Sequence, residues 1–295
     1  MSSVPQFPDC REITLEDKPL FDEIFSKHPP ESSAYTFTNI FAWRLGNESR
    51  LSNVGDALLV RKAAQGHSCP QPLGADDPAA AIIDVFKQAN DNISFEQVSA
   101  EVADVLRGDP AFVVEPDPDN SDYVYLSDDL INLPGRKYDG KRNHITRFQS
   151  ENDYQYLTLD QELAQECIEF ADRWCEDKPC ESDEGLAQEK CAVFQMLTHF
   201  DELGIVGGAL RVGGEIIACS LGEALNPETL VVHVEKADSK VAGSYQVISN
   251  EFCTHEAGKF EYVNREQDLG IRGLRKAKQS YHPVRMVETY QVRPA

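Results

Sequence analysis

Apolar positions return at helical spacing near the start of the chain. In "TLEDKPLFDEIFSKHP" Leu20, Phe21, Ile24 and Phe25 share one face, with Thr14 as N-cap and Asp17 three residues on. "YTFTNIFAWR" is too apolar for a surface loop and predicts a helix packed on the first sheet, with Thr38 and Asn39 as polar exceptions. Short runs then take over: "RLSNVGDALLVRK" predicts a hairpin turning at Val54-Gly55-Asp56. Asp77-Pro78 starts a helix through "AAAIIDVFKQA", followed by a strand "ISFEQ", a helix "SAEVADVLRG", and strands "AFVVE" and "DYVYL". Pro116, Asp117, Pro118 and Asp119 turn the chain between the last two.

The second half repeats this order of elements without repeating residues. Leu163, Cys167, Phe170 and Trp174 make one helical stripe, and Val193, Leu197 and Phe200 continue a second. "GIVGGALRV" and "EIIACSLGEA" flank Gly213-Gly214, a strong hairpin signal, and Asn226-Pro227 turns into a third strand, "TLVVHVE". A helix through Tyr245, Ile248 and Phe252, a strand "KFEYVNRE", a helix through Ile271, Leu274 and Lys278 to Tyr281, and a strand "VRMVETYQV" complete the order.

Charge changes this picture at one place. The 295 residues carry 28 Lys and Arg against 50 Asp and Glu, a net charge of −22. Such a balance excludes a general duplex-DNA binder, which needs a broad positive face. It permits a local anion site, because screening limits a charge's reach to roughly 8 Å at physiological salt. "LPGRKYDGKRNHITRF" gathers Arg136, Lys137, Lys141, Arg142 and Arg147 with His144 around a single acid, Asp139. A second basic cluster, Arg272, Arg275, Lys276, Lys278 and Arg285, lies near the C-terminus. Eight cysteines include no C-x-x-C pair, and the Cys175/Cys180 spacing fits no common zinc pattern. Without an apolar signal core or a run of about 18 apolar residues, the chain is expected in the cytoplasm with reduced thiols and no membrane span.

Three antiparallel strands followed by helix–strand–helix–strand is the order of GNAT-type N-acyltransferase domains, and two in tandem is the plan of FemX-like aminoacyl transferases. "PPESSAYTFTNIFAWR", "GRKYDGKRNHITRF" and "YVNREQDLGIRGLRKAKQSYHP" resemble a family related to the C-terminal domain of phosphatidylglycerol lysyltransferases, over nearly the whole chain. The resemblance implies an α+β fold of two tandem GNAT-like (acyl-CoA N-acyltransferase) domains, each a mixed, mainly antiparallel sheet flanked by helices. The expected division is 1–130 for the first domain, 131–150 for a basic connector, and 151–295 for the second.

The resemblance further implies an anion site where the central strand of the second domain breaks into a helix, "VEKADSKVAGSYQV". Helix-start amides favour an anion there, with Lys236 and Lys240 adding charge and Gly243, Ser244 and Tyr245 forming the helix start. The alternative is a plain strand-to-helix turn capped by Ser244. In the first half the equivalent loop, "PLGADDPAAA", presents Asp76 and Asp77, which repel phosphate, so the first domain reads as a degenerate copy.

His233 and Glu235 stand two apart on a strand and face one side, a pairing suited to a general base. Tyr281 follows Ala277 by four residues, similar to the A-x-x-x-Y helix end of acetyltransferases, whose tyrosine protonates the leaving group. Asn264, Glu266 and Asp268 alternate on the neighbouring strand, and Asn264, Asp268 and Arg272 join the expected substrate-binding set with Arg136, Lys137, Arg142, His144 and Arg147. Each has a structural alternative: a packed His–Glu pair, a core tyrosine, or arginines clamping the domains. The expectation is a metal-free acyl- or aminoacyl-transferase using acyl-CoA or aminoacyl-tRNA, an anionic small molecule or a tRNA acceptor end being the partner. The rival is a catalytically silent GNAT-fold ligand-binding or regulatory protein. Nothing in the sequence fixes the donor, the acceptor or the oligomeric state.

Overall fold

Asp77 opens its helix as the sequence predicts: the carboxylate accepts from the Ala80 amide at 2.9 Å and Pro78 occupies the first turn. In the computed structural model, which describes residues 3–64, 67–89, 93–176 and 184–295, the chain falls into two units. The first comprises Met1–Asp122, Gln267–Arg272 and Val287–Ala295; the second comprises Tyr123–Glu266 and Gly273–Met286. Cys180 of the proposed thiol comparison lies outside the described residues.

The first unit contains β1 (Arg11–Glu12), α1 (Lys18–Lys27), α2 (Phe37–Ala42), β2 (Arg50–Val54), β3 (Ala57–Arg61), β4 (His67–Pro70), α3 (Pro78–Gln88), β5 (Ile93–Ser99), α4 (Ala100–Arg107) and β6 (Phe112–Pro116). β1, β2 and β3 form one antiparallel sheet. A second sheet runs β4, β5, the last strand of the chain (Thr289–Pro294), β6. Ile82, Val85, Phe95, Val98, Leu106 and Val292 form its core. The apolar segment read as a helix is α2, where Phe37 packs between Phe21 and Phe41 with ring centres 5.3 and 5.7 Å away. Thr38, its polar exception, is fully buried.

The second unit starts with β7 (Asp122–Leu126, from Tyr123), α5 (Ser127–Asn132) and α6 (Asp139–Glu151). There follow β8 (Tyr154–Thr158), α7 (Gln161–Glu176), α8 (Glu184–Thr198), α9 (Phe200–Leu203), β9 (Val206–Val212), β10 (Glu215–Asn226), β11 (Thr229–Ala237), α10 (Ser244–Glu256), β12 (Tyr262–Asn264), α11 (Arg272–Gln279), β13 (Arg285–Val287) and, returning to the first unit, β14 (Thr289–Pro294). The large sheet is ordered β13-β7-β12-β11-β10-β9-β8. β11 pairs with β12 in parallel, the two strands being joined through α10, whereas β10–β11, β9–β10, β8–β9 and β7–β12 are antiparallel. Gly213 and Gly214, at φ of 59° and 89°, make the tight β9–β10 turn as their sequence predicts. Phe148, Leu210, Ile217, Val247 and Ile248 fill one part of the core, and Tyr125, Tyr138, Leu230, Phe252 and Val263 another.

Two boundaries differ from expectation. Residues 131–150 are not a connector: they carry most of α6 and belong to the second unit, where Phe148 is fully buried. "DYVYL", expected to close the first domain, pairs as β7 with β12. The final run "VRMVETYQV" breaks at Glu288 into β13 and β14, which belong to different sheets. No helix among the described residues is long and apolar enough to cross a membrane.

Candidate active site

β12 is short. Its pairing with β11 ends at Val231 opposite Asn264, and β11 runs on to Ala237 without it. The chain after Asn264 turns away, with Glu266 at φ 58°, and side chains bridge the gap that opens. Arg265 donates to Glu235 Oε1 at 2.8 Å, and His233 sits between Glu266 at 2.8 Å and Glu223 at 2.9 Å.

Glu235, Arg265 and Tyr281 come together here. Tyr281 lies two residues beyond the end of α11, its amide bonded to the Lys278 carbonyl. Burial pushes its phenol up to about 12, opposed by the Arg265 charge and by a hydrogen bond with Ser249. It is therefore a neutral phenol at physiological pH, competent to give a proton. The Arg265 guanidinium stands 4.6 Å from the ring centre and Lys141 Nζ 3.8 Å from it. Lys141 also donates to Ser280 Oγ at 2.7 Å. Burial, then the Arg265 charge, lowers its ammonium to about 8, with Glu235 opposing. Cys253 is nearby, its thiol pushed up to about 12 by burial.

His233 does not suit the role of free base. Its side chain has no exposed surface, and both ring nitrogens are engaged by carboxylates. Burial alone would lower its value, but the hydrogen bonds its ring gives to Glu223 and Glu266, and the charges of those carboxylates, raise it to about 9. An imidazolium already carrying both protons has none of the basicity the sequence reading gave it.

The loop expected to hold a phosphate is occupied from within. Lys236 is buried, paired with Glu189 at 3.0 Å and lying 3.6 Å from the centre of the Trp174 ring. Gly243 has φ 91°, and a Cβ there would stand 2.8 Å from the His144 carbonyl oxygen of α6. Ser244 Oγ donates to the Asp238 carbonyl, Tyr245 Oη accepts from Trp174 Nε1 at 3.3 Å, and Lys240 is exposed. The glycine serves close packing of α6 on the start of α10; it is itself the N-cap, and the expected Ser244 cap is absent because that hydroxyl is turned to the Asp238 carbonyl.

The basic segment divides. Lys141 reaches the site, whereas Lys137 pairs with Asp129 at 2.9 Å and Arg147 with Glu151 at 2.8 Å. Arg142 binds the Leu133 and Gly135 carbonyls and Asp139, while Arg136 and His144 are exposed. Arg142 and Arg147 pair with Asp139 and Glu151, outside the 160–190 stretch where a domain clamp would place their partners. Tyr138, in the same segment, donates to the Tyr281 carbonyl at 2.8 Å. Asn264 is buried and accepts from the Glu266 amide. Asp268 and Arg272 belong to the first unit, Asp268 buried and accepting from the Gly270 amide, Arg272 on the surface.

Sequence reasoning missed Arg265 and undervalued Lys141. Arg265 stands within the alternating polar run 264–268, where its opposite parity hid it. Lys141 was one of five similar cations in one segment.

Residues 26–293 match the family profile described as "Phosphatidylglycerol lysyltransferase, C-terminal". A conserved protein of unknown function from Bacteroides thetaiotaomicron VPI-5482 is 34% identical, with TM-score 0.89, covering 97% of this chain and 99% of that one. L-PGS from Bacillus licheniformis shares the fold at 14% identity and TM-score 0.66, over 99% and 94% of the two chains. FemX does so at 10% identity and TM-score 0.60, over 96% of each. An uncharacterized protein of Mycoplasmoides gallisepticum is 26% identical over 179 residues, 59% of this chain and 56% of that protein's length.

Proposed function

The chain belongs to the phosphatidylglycerol lysyltransferase C-terminal family, and from that premise we propose that it transfers an acyl or aminoacyl group from a phosphate-bearing donor to an amine or hydroxyl. The observation that carries this reading is the Tyr281 phenol, buried and neutral beside Arg265, Lys141 and Glu235. The acceptor's nitrogen or oxygen bonds to the acyl carbon, and the bond from that carbon to the donor's oxygen breaks. Glu235 takes the acceptor's proton once attack has made it acidic, and Tyr281 gives its proton to the departing oxygen. Proton return from Glu235 to Tyr281 restores the site. Positioning and electrostatic stabilisation supply the rest.

An aminoacyl ester donor is favoured over acyl-CoA. The segment that would take a coenzyme A pyrophosphate has its buried lysine committed to Glu189 and its glycine packed against α6. The test is label transfer from charged tRNA pools, and in parallel from acyl-CoA, to amine and hydroxyl acceptors including phosphatidylglycerol vesicles. Tyr281→Phe is expected to lower transfer about 10²-fold or more while costing no more than about 1 kcal/mol of stability. Equal transfer by the variant removes Tyr281 from the mechanism. An absence of transfer from every donor to every acceptor favours the silent, ligand-binding alternative.

A further inference from the structure

Arg265 has an unspent donor. Its Nη2 is taken by Glu235 at 2.8 Å, but its Nη1 is buried and meets no hydrogen-bond partner among the described residues. The side chain as a whole is 12% exposed. Buried donors of charged groups are nearly always paired, so an orphan beside a candidate active site needs an explanation. The adjacent charges supply one. Lys141 and Arg265 both approach Tyr281, at 3.8 and 4.6 Å from its ring centre, while Glu235 is the carboxylate paired with Arg265.

We infer that Arg265 Nη1 and Lys141 Nζ form a seat for one phosphate-type oxyanion beside Tyr281, whose own proton is kept for the departing oxygen. Geometry favours phosphate over carboxylate. A carboxylate binds arginine best through both terminal nitrogens, and Glu235 already holds one of them. The donors left over come from two different side chains, on α6 and after β12, and so suit the spread oxygens of a tetrahedral group better than the two coplanar oxygens of a carboxylate. Lys141 is half-buried and gives one hydrogen bond to Ser280, which leaves its ammonium further protons to donate. This seat lies at the site of the transfer reading and names the substrate group held there. Its test requires binding alone, so it stands or falls whether or not transfer is detected.

The experiment is calorimetric titration of the full chain at low salt with inorganic phosphate, glycerol 3-phosphate and adenosine 5′-monophosphate. The last two separate a headgroup-like source from a nucleotide source. Wild-type protein is expected to bind at least one of them with millimolar or better affinity. Lys141→Gln should weaken that binding about tenfold, in line with losing one charge-assisted hydrogen bond. Arg265→Gln combined with Glu235→Gln, which avoids leaving Glu235 buried without its cation, should weaken it at least as much. Lys87→Gln, an exposed cation of the first unit paired with Asp84, should leave it unchanged. The inference is overturned by wild-type protein binding none of the three at 10 mM, by a Lys141→Gln affinity equal to wild type, or by Lys87→Gln weakening binding as much as Lys141→Gln.

Discussion

Arg265 and Glu235 meet at 2.8 Å just beyond the point where β11 outruns β12, both largely buried. The pair replaces backbone pairing that the short strand no longer supplies, and it sets the charge beside Tyr281. Burial works against the Arg265 charge, but Glu235 together with Tyr281, Tyr125 and Cys253 outweighs it, and the guanidinium is held above its ordinary value.

Removing one partner leaves the other ion buried alone. Glu235→Gln and Arg265→Met are each expected to cost about 2–4 kcal/mol, and the double variant clearly less than their sum. Urea denaturation of the four proteins gives the coupling energy. A sum that is additive within about 0.5 kcal/mol would show that the two residues do not act as a pair.

His233 provides a pH signature. Its folded value, raised to about 9 from the ordinary 6.5, means the folded state holds the proton more tightly than the unfolded chain. The stabilisation is full below about pH 6.5 and is lost as the pH rises through about 9. The difference of 2.5 in pKa corresponds to on the order of 3 kcal/mol. Comparing urea stability at pH 6 and pH 9.5 for wild type and His233→Gln isolates this contribution: the gap between the two proteins should narrow at the higher pH. A gap that stays constant would mean that the imidazole does not change charge over that range. Glu223→Gln, which removes one of the two carboxylates, should move the loss to lower pH.

The sequence was readable where one residue dictates one local conformation. Gly213-Gly214 predicts its turn because both positions need a left-handed backbone, and Asp77-Pro78 predicts its helix start because cap and ring both act locally. The same sequence misled where sheet partners are chosen by distant chain. β7 and β14 look like natural ends of the halves in which they occur, yet each pairs elsewhere, and strand pattern carries no record of its partner. The site follows this division. Glu235 entered the candidate set by alternation and Tyr281 by resemblance to an acetyltransferase helix end, while Arg265 acquires its place only because β12 stops at Asn264. Lys236 was read as a phosphate ligand because sequence shows its charge and not Glu189 and Trp174, which enclose it.

Lys236 can be tested directly, since its ammonium lies over one of only two tryptophans in the chain. Lys236→Met should keep most of the packing while removing the charge, leaving Glu189, which is 39% exposed, able to turn to water. The expected stability change is within about 1.5 kcal/mol, with a change in Trp174 emission. Lys236→Ala, which also loses the stem, should cost more. Unaltered emission in both variants would contradict the contact.

Gly243 decides between a packed turn and a phosphate cradle. Alanine there must adopt a left-handed backbone and place its Cβ 2.8 Å from the His144 carbonyl oxygen, a backbone atom that cannot swing aside. The two effects together should cost about 2–4 kcal/mol. Gly258 is the control: it has open space around its Cβ position, so Gly258→Ala should change stability by no more than about 0.5 kcal/mol. A packed turn also predicts that acyl-CoA leaves the melting temperature of the wild-type protein unchanged, because ligand at 100 times its Kd would add about 2.7 kcal/mol of stability if a seat existed. Thermal denaturation of the three proteins, with and without millimolar acyl-CoA, reads all of these effects. Tolerance of Gly243→Ala together with protection of the wild type by acyl-CoA would return the 236–245 segment to phosphate binding.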